Sequence, residues 1–518
     1  MPDIDHTRLD AALDALPKAH PGPGGVAGVM KDGQIVAARA WGYASLETRT
    51  PLSTATRLPI CSISKQFTCG VLLATVGDPA KLDAGVADFL PRLESPLPTV
   101  KQLCDNQSGL RDYWALTILQ GAKAEQTFRR EDALPLIAKM KTGHFAPGTS
   151  YSYNNSNFRM VGELIERATG ETLETLYQRH IWGPAGMTGA ELTADTRHPA
   201  DGVTGYEGSD ATGFFPADNG IYWRGDAGIS ASLDDMLAYE AWIDATRDDA
   251  ESLYRRLSAA PSFVDGAPAS YGYGLSHEEI GGAAFTGHAG ALRGFRAYRM
   301  NSREERLSVV VLFNHEGSAH GAATRLALAA MGKDAPEPAP IAQSWDGQWL
   351  DTERGMLARI ETGRRTATLQ YGTGDTELTC DGEALRSDGL VITRAGDGLT
   401  ILRPGENTTR RLTPLPEIAF ADGAEIAGRY RSDELDAEME IEARDGGVYA
   451  VFRGMLGEGR RERMAAAGKD VWRIATRRSM DAPAPGDWTL VLGRNAAGAV
   501  SGATLSCWLA RGVAYTRL

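Results

Sequence analysis

Apolar residues recur every three to four positions over residues 3–19, which predicts an amphipathic helix. They then alternate through GVAGVMKDGQIVAARAWGYA, predicting two strands joined by a tight turn at Lys31-Asp32-Gly33 and the start of a sheet edge. From Gln66 to about Met331 the spacing is mostly helical, as in NFRMVGELIERATG and LDDMLAYEAWI. Strands return at FRAYRMNSREERLSVVVLFN before a closing helix at GAATRLALAAMG. This order predicts an antiparallel sheet with helices segregated beside it. The pattern changes at GKDAPEPAPIAQ, residues 332–343, which is proline-rich and poor in large apolar side chains, as a stiff linker should be. Beyond it, short alternating runs such as TATLQYG, GLVITRA and DWTLVLG are separated by Gly, Asp and Asn turns and show almost no helical period. Segments near Gly347 and Gly428 share a Gly-x-aromatic opening, an acidic turn and a strand. The expected architecture is an α+β domain over 1–331, a linker over 332–343, and two antiparallel β-barrels of about eight strands each over 344–416 and 417–518.

Bulk composition narrows the functional classes. The 518 residues are 42% hydrophobic, enough for a large core, and the formal net charge is -13. No Lys/Arg cluster gathers on one predicted helix, so nucleic acid and anionic membrane are disfavoured as partners. The opening MPDIDHTRLDAALDALPKAH lacks the basic start and apolar core of an export signal, and no apolar run is long enough to span a bilayer, so the expected location is cytoplasmic. Cys61, Cys69, Cys104, Cys380 and Cys507 are scattered and odd in number, indicating neither a disulfide framework nor a zinc site. HEEIGG lacks the second histidine of a zinc-protease helix, so neither a metal nor any other cofactor is expected.

Three short stretches carry candidate chemistry. In PICSISKQFTCG, Ser62 and Lys65 stand three positions apart at a strand-to-helix junction, so both side chains share one helix face. About one Ser-x-x-Lys match is expected by chance in a chain this long, and a helix cap with a solvated lysine would explain it. The functional alternative is a nucleophile whose base is a lysine able to lose its proton when desolvated. In FAPGTSYSYNNSNF, an Asn-rich turn accounts for Asn154 and Asn155 but not for Tyr153, which could share a proton with Lys65. Asn155 could then donate to a substrate carbonyl or accept from Lys65. In FTGHAGALRGF, His288-Ala289-Gly290 begins a predicted edge strand, where Gly290 would let a substrate backbone approach.

In this order, with NQSGLRDY, GDAGISASLDDML and YGYGLSHEE between and around them, the motifs make residues of roughly 20 to 330 resemble the serine penicillin-recognising family. That family includes class C β-lactamases, DD-peptidases, certain esterases and the bacterial D-aminopeptidases. The resemblance implies an active site between a central antiparallel sheet and a helical region. It implies that Ser62 is the acylated nucleophile, Lys65 and Tyr153 handle protons, Asn155 is a polar positioning group, and the Ser62 and Ala291 amides form the oxyanion hole. His288 departs from the lysine usual in the β-lactamases, which puts lactamase activity in doubt because an imidazole can be neutral.

Two tandem barrels behind such a domain resemble the D-aminopeptidase branch, whose members release an N-terminal D-residue such as D-alanine from small peptides, amides and esters. A D-stereospecific esterase, a DD-peptidase and a non-catalytic sensor remain the alternatives, and a homodimer is left open. An aminopeptidase must hold a free ammonium, which calls for a carboxylate. Two candidates exist: Asp481, in the long proline-rich connection TRRSMDAPAPGDW at 476–488, and Asp226, in RGDAGIS.

Overall fold

The structure is a computed structural model, and it describes residues 4–335, 337–418, 421–481 and 485–518. The opening helix α1 (His6–Ala19) starts behind Asp5, whose side chain accepts from the Arg8 amide as an N-cap. Strands β1 (Gly24–Lys31) and β2 (Gln34–Ser45) follow, joined through Asp32 and Gly33, both at positive φ, as a two-residue hairpin turn requires. The main sheet is completed by β3 (Leu275–Ile280), β4 (Ala283–Leu292), β5 (Phe295–Ser302) and β6 (Leu307–Phe313), with two-residue strands at either edge. Reading across from the β2 side, the long strands run β2, β1, β6, β5, β4, β3, each pair antiparallel.

The run LSVVVLF is apolar at nearly every position because β6 is covered on both faces. Val309 and Val311 pack with Leu9, Leu13 and Leu16 of α1 and with Ala322, Ala323 and Leu326 of the closing helix Ala319–Ala330. Val310 and Leu312 face the opposite way, into the larger core shared with the helical region. That region includes α2 (Ser64–Thr75), α3 (Asn155–Thr169) and α4 (Leu233–Ala245). One expectation needs correction here. Strand structure returns at Tyr271, before FRAYRM, and residues 186–230 hold short strand pairs and turns more than helix. The β1–β2 hairpin does begin the sheet at one edge: β2 is the outermost long strand, met only by the two-residue Thr50–Pro51, while β1 pairs inward with β6.

Both expected barrels are present. Eight strands from Gly347–Asp351 to Thr408–Pro414 close through Trp349 opposite Pro414. A second eight, from Gly428–Ser432 to Ala510–Arg517, close through Tyr430 opposite Arg517 and carry one extra short strand, Gly457–Glu458. The aromatic of each Gly-x-aromatic opening, Trp349 and Tyr430, is buried. The second barrel is also tied to the helical region, since the Leu509 carbonyl accepts from the Asp112 amide at 2.9 Å and the Arg111 Nε donates to the Arg511 carbonyl at 2.8 Å.

Candidate active site

The chain leaves Leu58–Pro59, passes through a tight turn at Cys61–Ile63 and enters α2 at Ser64. Cys61 sits at a φ of +51°, a conformation non-glycine residues seldom adopt, and its side chain is completely buried. Such a turn persists only where its surroundings enforce it, and here it presents Ser62 at the mouth of the helix. Lys65, one helical turn on, is also fully buried. Its Nζ donates to Ser62 Oγ at 2.9 Å, to Asn155 Oδ1 at 2.8 Å and to the Asp226 carbonyl at 2.7 Å. The Tyr153 hydroxyl donates to the same Ser62 Oγ at 2.8 Å. The three side chains singled out from two distant motifs thus meet at one oxygen.

Asn154 and Asn155 divide the work of their turn. Asn154 is the N-cap of α3, accepting from the Ser156 amide at 2.7 Å. Asn155 is the next residue, with Oδ1 on Lys65 and Nδ2 donating to Asp112 Oδ2 at 2.7 Å. Of the two roles open for it, accepting from Lys65 is the one this geometry contains.

Electrostatics separate Lys65 from Tyr153. Burial pushes the Lys65 ammonium down to about 8, against Asp226, Asp481 and Asp112, which hold it up. Burial drives the Tyr153 phenol well above its ordinary value, only partly opposed by its bond to Ser62. Near neutral pH the lysine can therefore give up a proton while the tyrosine keeps its own. Burial, with Lys65 adding to it, pushes the His288 imidazole down to about 3. Its Nε2 lies 2.8 Å from the Tyr271 hydroxyl and its Nδ1 lies against the Ala289 carbonyl, so Nδ1 carries the hydrogen and Nε2 accepts.

Strand β4 differs from its expected form. His288 stands in mid-strand, and β4 is paired with β3 over Ala283–Gly287 before the remaining stretch loses that partner. Only this second half, from His288 to Leu292, is an edge. Gly290 has a close neighbour within the chain: a Cβ there would lie 2.3 Å from the Ile60 carbonyl oxygen. The close approach that the geometry contains is between β4 and the turn that carries Ser62. Ala291, half-buried, follows on the same edge.

Asp226 is not a ligand site. It is fully buried, its Oδ2 accepts from Tyr113 Oη at 2.8 Å and its Oδ1 from the Arg224 amide at 3.1 Å, so no ammonium can reach it. It belongs behind Lys65. Asp481 stands differently. Its connection joins Val471–Ile474 to Trp488–Arg494 of the second barrel, and Arg478 fastens it to Glu125 at 2.5 Å and Glu207 at 2.6 Å. Residues 482–484 of this connection lie outside the described residues. The Asp481 charge raises the Lys65, Tyr153 and Cys61 pKa values, each as a smaller cause behind burial.

Asp112 went unrecognised in the sequence. It accepts from Asn155 through both backbone and side chain at 2.7 Å, caps the helix Tyr113–Leu119, and is pushed up to about 6 by burial. An aspartate directly before an apolar run in RDYWALTIL is a helix-cap signal that could have drawn attention to it. Among the described residues, no group of three or more His, Cys, Asp or Glu side chains could hold a metal ion, and no helix is long and apolar enough to cross a membrane.

Comparison with known proteins now adds to this geometry. Residues 9–331, more than half of the chain, match the β-lactamase family model, and residues 339–516 match the model of D-aminopeptidase domain B. A D-aminopeptidase of Cereibacter sphaeroides is 63% identical over 516 residues, covering 99% of this chain and 100% of its own. The chain belongs to the β-lactamase family, in its D-aminopeptidase branch. A second D-aminopeptidase, from Brucella melitensis, is 47% identical over 522 residues, covering 100% of both chains. Among solved structures, the octameric penicillin-binding protein homologue from Pyrococcus abyssi superposes with a TM-score of 0.55 at 18% identity, over 79% of this chain and 100% of its own, a likeness of fold. Membership of the branch accounts for the two barrels as well as for the Ser62 turn.

Proposed function

We propose that this enzyme is a D-stereospecific aminopeptidase, a serine hydrolase that releases N-terminal D-residues, D-alanine above all, from small peptides, amides and esters. The observation that carries the reading is the convergence of Lys65 Nζ and Tyr153 Oη on Ser62 Oγ, with the Asp481 charge beside them. Neutral Lys65 accepts the Ser62 proton as Oγ attacks the substrate carbonyl. The Ser62 and Ala291 amides hold the oxyanion. Tyr153, still protonated, gives its proton to the leaving nitrogen or oxygen, and Lys65 restores it. Water then attacks the acyl-enzyme by the reverse path. Asp481 holds the substrate ammonium, and its connection walls off longer N-terminal extensions.

His288 supports peptide over lactam chemistry. A neutral imidazole offers no cation to the carboxylate of a penicillin or of a C-terminal D-alanine. The cytoplasm is the location we propose, consistent with five cysteines that are all free thiols. Paired D-alanine and L-alanine p-nitroanilides, with an N-blocked peptide ending in D-alanyl-D-alanine, test the reading. Cleavage of the D-anilide alone is expected, with the acyl group found on Ser62 by mass spectrometry and lost in Ser62→Ala. Equal cleavage of both anilides, preference for the blocked peptide, or acylation elsewhere would overturn it.

A further inference from the structure

Tyr153 and His288 line a cavity of about 620 Å³, whose lining includes none of the described residues of the Asp481 connection. One wall is the edge of the main sheet, with Tyr271 on His288 and Glu278 farther out. The other wall comes from the first barrel, which no candidate site residue drew upon. It consists of the turn at Asp388 and Gly389 and the segment from Arg403 to Glu406. This segment is clamped to the irregular stretch that carries Tyr153 and to Ser270 beside the sheet edge. Ser150 Oγ donates to the Glu406 carbonyl at 2.7 Å, Asn407 Nδ2 to the Thr149 carbonyl at 3.1 Å, and Ser270 Oγ to the Gly405 carbonyl at 3.1 Å. The first barrel is thus held in register with the proton donor.

The charges in this cavity do not balance. Arg403 is spent: its Nη1 donates to Glu406 Oε1 at 3.1 Å and its guanidinium lies 4.7 Å from the Trp508 ring centre. Glu278 accepts from the Tyr298 hydroxyl and faces His320 Nε2 at 3.2 Å. Asp388 stands at the rim, and partial burial beside Glu278 and Glu279 pushes its carboxyl up from the ordinary value. Glu278, Asp388 and Glu406 face one committed arginine and three histidines, of which only His320 is drawn toward its cation while burial holds His277 and His288 toward neutral, which leaves an excess of acid.

Strand register sets the scale. Glu278 pairs with Phe285, three residues before His288. At roughly 3.3 Å per strand residue that is about 10 Å along the strand from His288 and on the opposite face of the sheet, where Tyr298 and His320 hold it. The cavity therefore turns round the sheet edge to take in both, within reach of one leaving residue with a long side chain. Tyr153 protonates the leaving group, so the space on its far side receives that group. We infer that this cavity is the leaving-group subsite, built jointly by the sheet edge and the first barrel, and that it favours leaving residues with a basic side chain over those with a carboxylate. The inference rests on the aminopeptidase reading above.

The test uses the full-length protein and three dipeptide amides, D-alanyl-L-lysinamide, D-alanyl-L-leucinamide and D-alanyl-L-glutamic α-amide, compared by kcat/KM. Ratios within each protein cancel any change in overall rate. The lysine compound should exceed the glutamate compound by about tenfold or more. Asp388→Asn should cut that ratio by roughly threefold, the size of a partly exposed ion pair, and Asp388→Lys should cut it further. Asp388 lies on an exposed turn, so both variants should fold. Equal rates, a glutamate preference through Arg403, or a ratio untouched by both variants would overturn the subsite while leaving the aminopeptidase reading intact. Failure to cleave any D-alanyl compound would overturn both together.

Discussion

Acylation of Ser62 should rise with pH as Lys65 loses its proton, and replacing Asp481 should move that rise to lower pH. With Lys65 near 8, the neutral fraction grows from about 0.09 at pH 7 to about 0.91 at pH 9, so the rate constant should climb ~10-fold over that range. Asp481 favours the cation, so Asp481→Asn lowers the lysine pKa and enlarges the neutral fraction at any given pH. A partly screened charge pair is worth roughly 1 kcal/mol, which puts the shift at about 0.7 unit downward. The assay must avoid free-amine substrates, because their α-ammonium also titrates at about 7.7–8.0 and would bend the profile into a bell. An uncharged sulfonyl fluoride reports Ser62 alone, with labelling followed by intact mass. The same variant should raise KM for D-alanyl anilide through loss of the ammonium partner. A flat labelling profile would refute Lys65 as the base, and an unmoved or upward-shifted limb in Asp481→Asn would refute the electrostatic link.

Three further outcomes follow from the same geometry. Lys65→Ala and Tyr153→Phe should each slow turnover by about 100-fold, and the double variant should be no slower than the worse single, since both lie on one relay that carries a proton from Ser62 to the leaving group; a full product of the two losses in steady-state rates would contradict this. Gly290→Ala should keep the fold but lower kcat by about 100-fold, because its Cβ would push the Ile60 carbonyl, two residues before the nucleophile, by about 1 Å; wild-type kcat would refute the contact. Glu240→Gln should cost about 3–5 kcal/mol, measured by urea unfolding, because it strips the charge partner from Arg299, with both side chains at 0% exposure; a loss under 1 kcal/mol would refute the pairing.

Local pattern determined a good deal of this protein. Alternation placed both barrels, and the paired openings at Gly347 and Gly428 revealed their duplication, because each inward side chain of a small barrel must be apolar and each turn must be tight. Ser62 and Lys65 were legible because one helical turn is enough to bring them together. Tyr153 was legible because an Asn-rich turn gives no reason for a phenol. Other features depended on packing between distant segments. That Gly290 also makes room for the Ile60 carbonyl is a contact between residues 230 positions apart that no spacing encodes. Asp226 and Asp481 are chemically the same in sequence, and only burial told them apart: one has both oxygens committed behind Lys65, the other arrives from the far end of the chain on an arginine-pinned connection. The first barrel's part in the cleft was invisible for the same reason. Strand periodicity says which side of a barrel is wet, and only the docked tertiary structure decides what that wet side touches.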